Sequence, residues 1–115
     1  MLRFETDENE FENASMDRIG LIKQIAPRYR STYFNHIFSG GYSAGYYSYI
    51  WAEVLDADAF AAFEETGDVY NQDLASKLRK YILSTGGSDD SMILYRKFRG
   101  KDPSIEALLA RRGLN

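Results

Sequence analysis

The chain has 115 residues, of which 44% are hydrophobic and 15% aromatic, a composition typical of a folded chain rather than a disordered one. Its formal net charge of -3 argues against a nucleic-acid-binding protein, because such a protein presents a basic face. The absence of cysteine rules out disulfides and thiolate metal sites, and no apolar run is long enough to cross a bilayer.

Residues 1–14 are acidic and polar, and we interpret them as an N-terminal arm that is either frayed or the start of an acidic helix. Residues 15–115 make up the helical part of the chain. A helix is predicted from Ser15 to Ala26, because isoleucines recur there at helical spacing. Pro27 disfavours a helical conformation at the preceding residue, so this helix is predicted to end at Ala26.

The longest predicted helix runs from Tyr42 to Glu65, directly after a flexible point at the glycine pair 40–41. Gly67 is predicted to cap its C-terminus. Apolar and aromatic residues lie nearly all the way round this helix, which predicts that it is buried on most sides.

Three shorter helices are predicted from their capping residues. Asn71 is the expected N-cap of the third helix, and Ser88 or Asp89 is the expected N-cap of the fourth, which Gly100 closes. The Asp-Pro pair at 102–103 is expected to begin the fifth, with a cap followed by proline at the first helical position. The predicted fold class is all-α, with about five helices, one of them long, buried and rich in aromatic residues.

The sequence lacks a complete catalytic set. His36 is the one histidine, so the two histidines of a His-Glu-x-x-His zinc helix are missing. Neither a cysteine nucleophile nor a Gly-x-Ser-x-Gly elbow is present. Taken alone, the chain is predicted to bind no metal.

Three tyrosines form the one unusual constellation. Tyr42, Tyr46 and Tyr49 are spaced i, i+4 and i+7, so they share a face if the helix begins near Tyr42, and Glu53 extends that stripe. A loop at the glycine pair can fold His36 back over this face. Neutral phenols can donate to a developing oxyanion, and each such donor is worth about 100- to 1000-fold in rate. The alternative is that the tyrosines are core residues and the histidine a satisfied, partly buried imidazole; the pattern alone favours this alternative.

Two segments and three shorter motifs resemble a known family in order and spacing. The segments are PRYRSTYFNHIFSGGY at 27–42 and AGYYSYIWAEVL at 44–55, and the motifs are ILSTGGS at 82–88, RKFRGKDP at 96–103 and RGL at 112–114. Over residues 15–115 the chain resembles the closing part of the thimet oligopeptidase and peptidyl-dipeptidase family of zinc metallopeptidases. The glycine-rich stretch is most similar to the peptidyl-dipeptidase branch, which we group with oligopeptidase A.

The resemblance implies roles for the histidine and the three tyrosines. His36 and Tyr42 are expected to contact the peptide substrate. Tyr46 and Tyr49 are expected to stabilise the tetrahedral intermediate, with Tyr49 the strongest candidate. These roles require the four side chains to line a cleft rather than to fill a core.

The resemblance also implies a hinge and a metal. Gly40, Gly41 and Gly45 are expected to let the loop move as a channel closes on substrate. In this family zinc is bound upstream by the His-Glu-x-x-His helix and a further glutamate, so zinc is expected in the full-length enzyme and not in this chain. The mainly helical fold is then part of the catalytic domain of a larger metallopeptidase.

The missing zinc motif predicts that the chain is a fragment without peptidase activity of its own. Its expected partners are a short peptide substrate and the zinc-binding part of the same peptidase, without nucleic acid or membrane. The aromatic helix is expected to leave an exposed apolar face that drives homo-oligomer formation of the isolated fragment. The resemblance implies a cytoplasmic location and leaves the periplasm open. The alternative function is a free-standing, non-catalytic helical interaction module.

Overall fold

A computed structural model of the chain describes residues 7–114. Over this range the protein is all-helical and contains no strand, which confirms the predicted fold class. The five α-helices are α1 (Glu8–Arg18), α2 (Ser48–Glu65), α3 (Gln72–Leu78), α4 (Ser91–Arg99) and α5 (Glu106–Arg111). Short 3-10 turns lie at Asn35–Ile37 and Gly40–Tyr42, and a π-helical turn at Arg79–Leu83 extends α3. The chain forms two compact units, a first unit up to Tyr46 and a second unit from Tyr47 onward.

Helix α1 begins within the acidic residues 1–14, in agreement with the interpretation of that stretch as the start of an acidic helix, and ends earlier than the sequence predicts. Asp7 caps it, because its carboxylate accepts hydrogen bonds from the amides of Asn9 at 2.8 Å and Glu10 at 3.1 Å. The helix runs without a break through residue 14 and ends at Arg18, so the prediction of a helix over 15–26 is wrong beyond Arg18. The reason is that Gly20 adopts a left-handed conformation, with φ 76°, which interrupts the helix. The part of the acidic arm formed by residues 1–6 lies outside the described residues.

Helix α2 begins at Ser48, and the prediction that it starts near Tyr42 is wrong. Gly40 and Ala44 both have left-handed backbones, with φ of 68° and 53°, and a continuous right-handed helix cannot contain them. The amide of Gly45 instead donates to the carbonyl of Tyr42 at 2.9 Å and closes a turn. The end of α2 agrees with the prediction, because Gly67 is left-handed, with φ 72°.

Helix α2 is buried along one side rather than on most sides. Its buried apolar residues are Val54, Ala57 and Ala62. The first two pack with Leu108 of α5, and Ala62 packs with Tyr95 and Phe98 of α4. Other large apolar residues of the helix are exposed, among them Tyr49, Ile50, Trp51 and Phe60. Within the described residues the prediction of a mostly buried helix is therefore wrong, and the exposed side lacks a covering element.

The third helix is capped as predicted, whereas the fourth is not. The side chain of Asn71 accepts a hydrogen bond from the amide of Leu74 at 2.9 Å. The N-cap of α4 is Asp90, whose carboxylate accepts hydrogen bonds from the amides of residues 92 and 93 at 3.0 Å each. Asp89 instead lies 3.6 Å from the ammonium of Lys97. Gly100 ends α4 in the left-handed conformation, as predicted.

The fifth helix begins at Glu106, three positions after Pro103, so the predicted Asp-Pro start is wrong. The carboxylate of Asp102 is paired with the guanidinium of Arg96 on α4 and does not cap α5. The hydroxyl of Ser104 accepts a hydrogen bond from the amide of Glu106 at 3.2 Å instead. Tertiary pairing of the aspartate therefore competes with its local capping role.

A buried polar network joins α2 to α4. Asp58 is 2% exposed and accepts hydrogen bonds from the hydroxyl of Tyr95 at 2.7 Å and from Nε of Arg99 at 3.0 Å. Both terminal nitrogens of Arg99 also donate to the carboxylate of Glu65 at 2.7 Å. Burial and, to a smaller extent, the hydrogen bond to Asp58 raise the pKa of Tyr95. The hydrogen bonds from Arg99 lower the pKa of Glu65 to about 2. The network holds α2 and α4 in one register.

Candidate substrate-binding site

The loop around the glycine pair brings His36 against two of the three tyrosines. His36 lies in the 3-10 turn Asn35–Ile37, and its ring stacks on Tyr42 with centroids 5.6 Å apart and an interplanar angle of 20°. Tyr46 meets the same imidazole edge to face at 6.2 Å. The loop thus places His36 over these tyrosines as expected, although the helix that was predicted to align them is absent.

A second set of ring contacts supports Tyr46 from the other side. Phe34 meets Tyr46 edge to face at 4.8 Å, and the ring of Phe34 stacks on Tyr29 at 4.8 Å. The resulting aromatic row consists of Tyr29, Phe34, Tyr46, His36 and Tyr42. Pairs in these geometries contribute about 0.5–1.5 kcal/mol each beyond the area that they bury.

The outer end of the aromatic row is accessible to solvent. Tyr42 is 40% exposed, His36 is exposed, and Tyr46 is half-buried. These side chains are therefore not sealed core residues, which is the condition that a substrate-binding role requires. The alternative of a partly buried imidazole does not describe His36.

An apolar cavity of about 420 Å³ lies beside the inner end of the row. Helix α1 forms one wall through Phe11, Glu12 and Met16. The opposite wall includes Pro27, Tyr29, Phe34, Ile37 and Tyr46. Tyr46 therefore borders both this cavity and the imidazole of His36, so α1 belongs to the surroundings of the candidate site.

Glu12 is a residue of this region that the sequence analysis missed. Its carboxylate accepts hydrogen bonds from Nη1 of Arg30 at 2.9 Å and from the hydroxyl of Ser31 at 2.7 Å, and the amide of Ser31 donates to it as well. Glu12 is 7% exposed. Its position in an acidic stretch gave no signal, because its partners are 18 and 19 residues away along the chain.

Tyr49 lies in the second unit, in the first turn of α2, and is 47% exposed. The predicted stripe of tyrosines on one helix is therefore wrong as a local structure, since Tyr42 and Tyr46 precede the helix. Glu53, predicted to extend the stripe, pairs with Arg112. Together with the 2.9 Å pair of Arg111 and Asp56, this contact fixes α5 against the helix that carries Tyr49.

The arrangement combines tyrosine hydroxyls, which can donate hydrogen bonds, with one imidazole on half-buried or exposed surface. A phenol donates through its hydroxyl, and a neutral imidazole has one donor and one acceptor nitrogen, which suits a peptide's amide and carbonyl groups. Among residues 7–114, no group of three or more His, Cys, Asp or Glu side chains is placed to hold a metal ion. No helix in that range is long and apolar enough to span a membrane.

Comparison with known proteins places these features in one family. The model of peptidase family M3 matches residues 4–114. Oligopeptidase A of Escherichia coli K12 is 51% identical over 81 residues, which cover 70% of this chain and 12% of that protein. Dipeptidyl carboxypeptidase of the same strain is 50% identical over 91 residues, covering 79% of this chain and 13% of that protein. A probable cytosolic oligopeptidase A of Arabidopsis thaliana is 50% identical over 84 residues, covering 70% and 12%.

The chain thus spans about an eighth of the length of the curated relatives that it matches. All the residues of the aromatic row lie within the part matched by the family model. With this match over nearly its whole length, the chain belongs to peptidase family M3.

Proposed function

We propose that the chain is the C-terminal segment of a zinc-dependent peptidyl-dipeptidase or oligopeptidase. In that role it supplies side chains that bind a short peptide and stabilise the oxyanion of its hydrolysis. The observation that carries the proposal is the accessible contact of His36 with Tyr42 and Tyr46 in a chain of the M3 family.

The proposed role of each side chain is the one that the family resemblance implies. His36 and Tyr42, at the open end of the row, bind the peptide backbone. Tyr46 and Tyr49 donate hydrogen bonds from their hydroxyls to the carbonyl oxygen as it gains negative charge in the transition state. Gly40 permits the left-handed turn between the histidine and the tyrosines, and with Gly41 and Gly45 it forms the hinge of the loop.

Zinc enters this proposal through the family and not through the described side chains. The resemblance implies a zinc ion that polarises the peptide carbonyl and activates water. The groups within residues 7–114 do not fit such an ion, because they offer no cluster of three ligands. The ligands and the general base are proposed to come from the remainder of the peptidase, as the family resemblance implies, and the isolated chain is proposed to be inactive.

A reconstitution experiment tests the proposal. Oligopeptidase A of Escherichia coli, truncated before the residues that match this chain, is combined with the chain, and cleavage of an internally quenched peptide is followed. We expect zinc-dependent turnover from the mixture and none from either part alone. Turnover by the isolated chain with added zinc, or no turnover by any mixture that forms a complex, contradicts the proposal.

Variants of the chain separate the roles in the reconstituted enzyme. Tyr49→Phe removes one oxyanion donor and is expected to lower kcat by about 100- to 1000-fold. His36→Ala is expected to raise KM more than it lowers kcat. Tyr70→Phe is the matched control, because Tyr70 is 80% exposed in the second unit and lies outside the aromatic row. Equal activity of Tyr49→Phe and Tyr70→Phe would remove the catalytic role of Tyr49.

A second candidate, a non-catalytic interaction module, is supported by the exposed side of α2. Trp51 is 44% exposed and Phe60 is 48% exposed, which is unusual for large apolar groups on one helix. The same surface is proposed to drive self-association of the isolated chain. Light scattering is expected to show a dimer or larger species, and a monomer at high concentration contradicts this.

The proposed location of the parent enzyme is the cytoplasm. The support is the family resemblance together with the similarity to the Arabidopsis relative, a probable cytosolic oligopeptidase A. Fractionation of the source cells with an antibody against the chain tests this. Recovery in the periplasmic fraction contradicts it.

A further inference from the structure

We propose that Glu12 of α1 is a positioning residue that holds His36 in place through the segment 30–34 and the aromatic row. The inference deepens the proposed function and rests on it for its catalytic meaning. Its structural part concerns only contacts within the first unit.

The first step is the anchoring of segment 30–34 by one carboxylate. Glu12 receives three donors from two consecutive residues: the guanidinium of Arg30, the hydroxyl of Ser31 and the amide of Ser31. The amide contact fixes the backbone itself, and not only a flexible side chain. A buried carboxylate that accepts several hydrogen bonds sets the position of its donors, because losing any of them is costly in a site shielded from water.

The second step is the transfer of this position to the histidine. Tyr29 precedes the segment 30–34 and Phe34 is its last residue, and their rings stack at 4.8 Å. Phe34 then contacts Tyr46, and Tyr46 contacts the imidazole of His36. The backbone makes a parallel connection, because the amide of Asn35 donates to the carbonyl of Tyr33 at 2.9 Å just before the turn that holds His36.

Electrostatics favours a permanently charged anchor. The hydrogen bond from Arg30, followed by those from the amide and hydroxyl of Ser31, lowers the pKa of Glu12 to about 2. The carboxylate is therefore anionic throughout the neutral range and remains an acceptor for all three donors. A neutral amide in its place keeps the shape and loses the charge that pairs with Arg30.

The chain offers a direct reporter of the position of His36. It contains one histidine and one tryptophan, so the imidazole protons and the indole N–H each give a single resonance. The rings of Tyr42 and Tyr46 shift the imidazole resonances away from those of an unstructured peptide. Trp51 lies in the second unit and reports whether that unit is intact.

The experiment compares three variants of the full chain by NMR. Glu12→Gln is expected to move the His36 resonances toward their unstructured values while the Trp51 resonance stays in place. Ser31→Ala removes only the hydroxyl donor and is expected to cause a smaller shift in the same direction. Glu10→Gln is the matched control, because Glu10 is an exposed glutamate on the same helix, and it is expected to leave His36 unchanged.

The outcomes separate positioning from simple stabilisation of α1. If Glu12 only stabilises the helix, Glu12→Gln accelerates amide exchange in α1 and leaves the His36 resonances unchanged, which overturns the proposal. If Glu12→Gln unfolds α1, the shift in Ser31→Ala decides: movement of His36 supports the proposal and an unchanged resonance overturns it.

The test also distinguishes this inference from the proposed function, because it needs neither zinc nor substrate. A shift of His36 in Glu12→Gln, combined with full activity of His36→Ala in the reconstituted enzyme, retains the structural connection and removes the catalytic purpose. In the opposite case, His36→Ala lowers the activity of the reconstituted enzyme, while Glu12→Gln leaves the His36 resonances unchanged. That result leaves the proposed function standing and removes the positioning role.

Discussion

The two units of the chain differ in the internal contacts that stabilise each of them. In the second unit, the buried apolar side chains form two clusters on α2, one with α5 and one with α4. In the described part of the first unit, the buried residue is the charged Glu12, and aromatic rings contact one another on half-buried or exposed surface. Hydrogen bonds and ring contacts therefore shape the unit that presents His36, whereas the second unit combines apolar packing with the buried Asp58–Arg99 pair. Sites that must meet a substrate are placed where the chain is least buried.

The largest expected effect is the loss of a core ring in the second unit. Phe98 is 2% exposed and contacts Ala62 and Tyr95, so Phe98→Ala is expected to lower the free energy of unfolding by about 3–5 kcal/mol. Urea unfolding followed by circular dichroism measures this. Ile93→Ala, at a 44% exposed position of the same helix, is the control and is expected to cost far less.

Next in size is the buried ion pair between α2 and α4. The side chains of Asp58 and Arg99 are 3% and 5% exposed, so Asp58→Ala leaves the buried Nε of Arg99 without its carboxylate, although Glu65 still pairs with the terminal nitrogens, and is expected to cost about 3 kcal/mol. Asp56→Ala removes the exposed partner of Arg111 on the same helix and is expected to cost less than about 1 kcal/mol. Equal losses in the two variants would show that burial does not govern this pair.

Acid tests the contrast between the units through one carboxyl group in each whose pKa is lowered to about 2. Because the folded pKa values of Glu12 and Glu65 are both lowered from 4.5 to about 2, their contributions are complete above pH 4.5 and are lost as pH falls toward 2. Amide exchange in α1 and α4 measures the two units separately. Glu12→Gln is expected to remove the acid response of α1 without changing α4, and Glu65→Gln to reduce that of α4 without changing α1, since Asp102, whose pKa the hydrogen bond with Arg96 of α4 lowers, retains part of it. A change in both helices from either variant contradicts the separation.

The smallest expected effect is at the exposed pairs that fix α5. Arg111→Ala breaks a contact whose partners are 48% and 71% exposed, so the expected loss is at most about 1 kcal/mol and shrinks with added salt. Thermal unfolding at two salt concentrations checks this. A loss that salt does not reduce would mean that the pair acts through packing rather than charge.

Local signals in the sequence predicted the structure best where they depended only on a residue's own backbone or on its neighbours in the chain. Asn71 caps α3 through its own neighbouring amide, and Gly67 and Gly100 end helices because glycine adopts left-handed angles at little cost. The errors had two causes: a tertiary partner competed for a capping residue, or a left-handed residue interrupted a predicted helix. Asp102 pairs with Arg96 instead of capping α5, and the isoleucines after Arg18 remain exposed without forming the predicted helix.

The candidate site shows the same division. The tyrosines were selected for a helical face that does not form, since Ala44 is left-handed, yet two of them meet His36 through a turn. Residue identity was a better guide here than periodicity, because aromatic rings of this size make contacts from several backbone geometries. The sequence did not single out Glu12, because one glutamate in an acidic stretch does not indicate a hydrogen-bond donor 18 positions away.

By itself, the sequence determined the helical class, the stops at glycine, the absence of a local zinc motif and the membership of peptidase family M3. These depend on short-range backbone preferences and on residue types in order. Only the tertiary structure decided which carboxylates are buried and that Glu12 is bonded to the segment preceding His36. Those outcomes depend on contacts between residues far apart in the chain, whose desolvation and hydrogen bonding outweigh the local preferences of either partner.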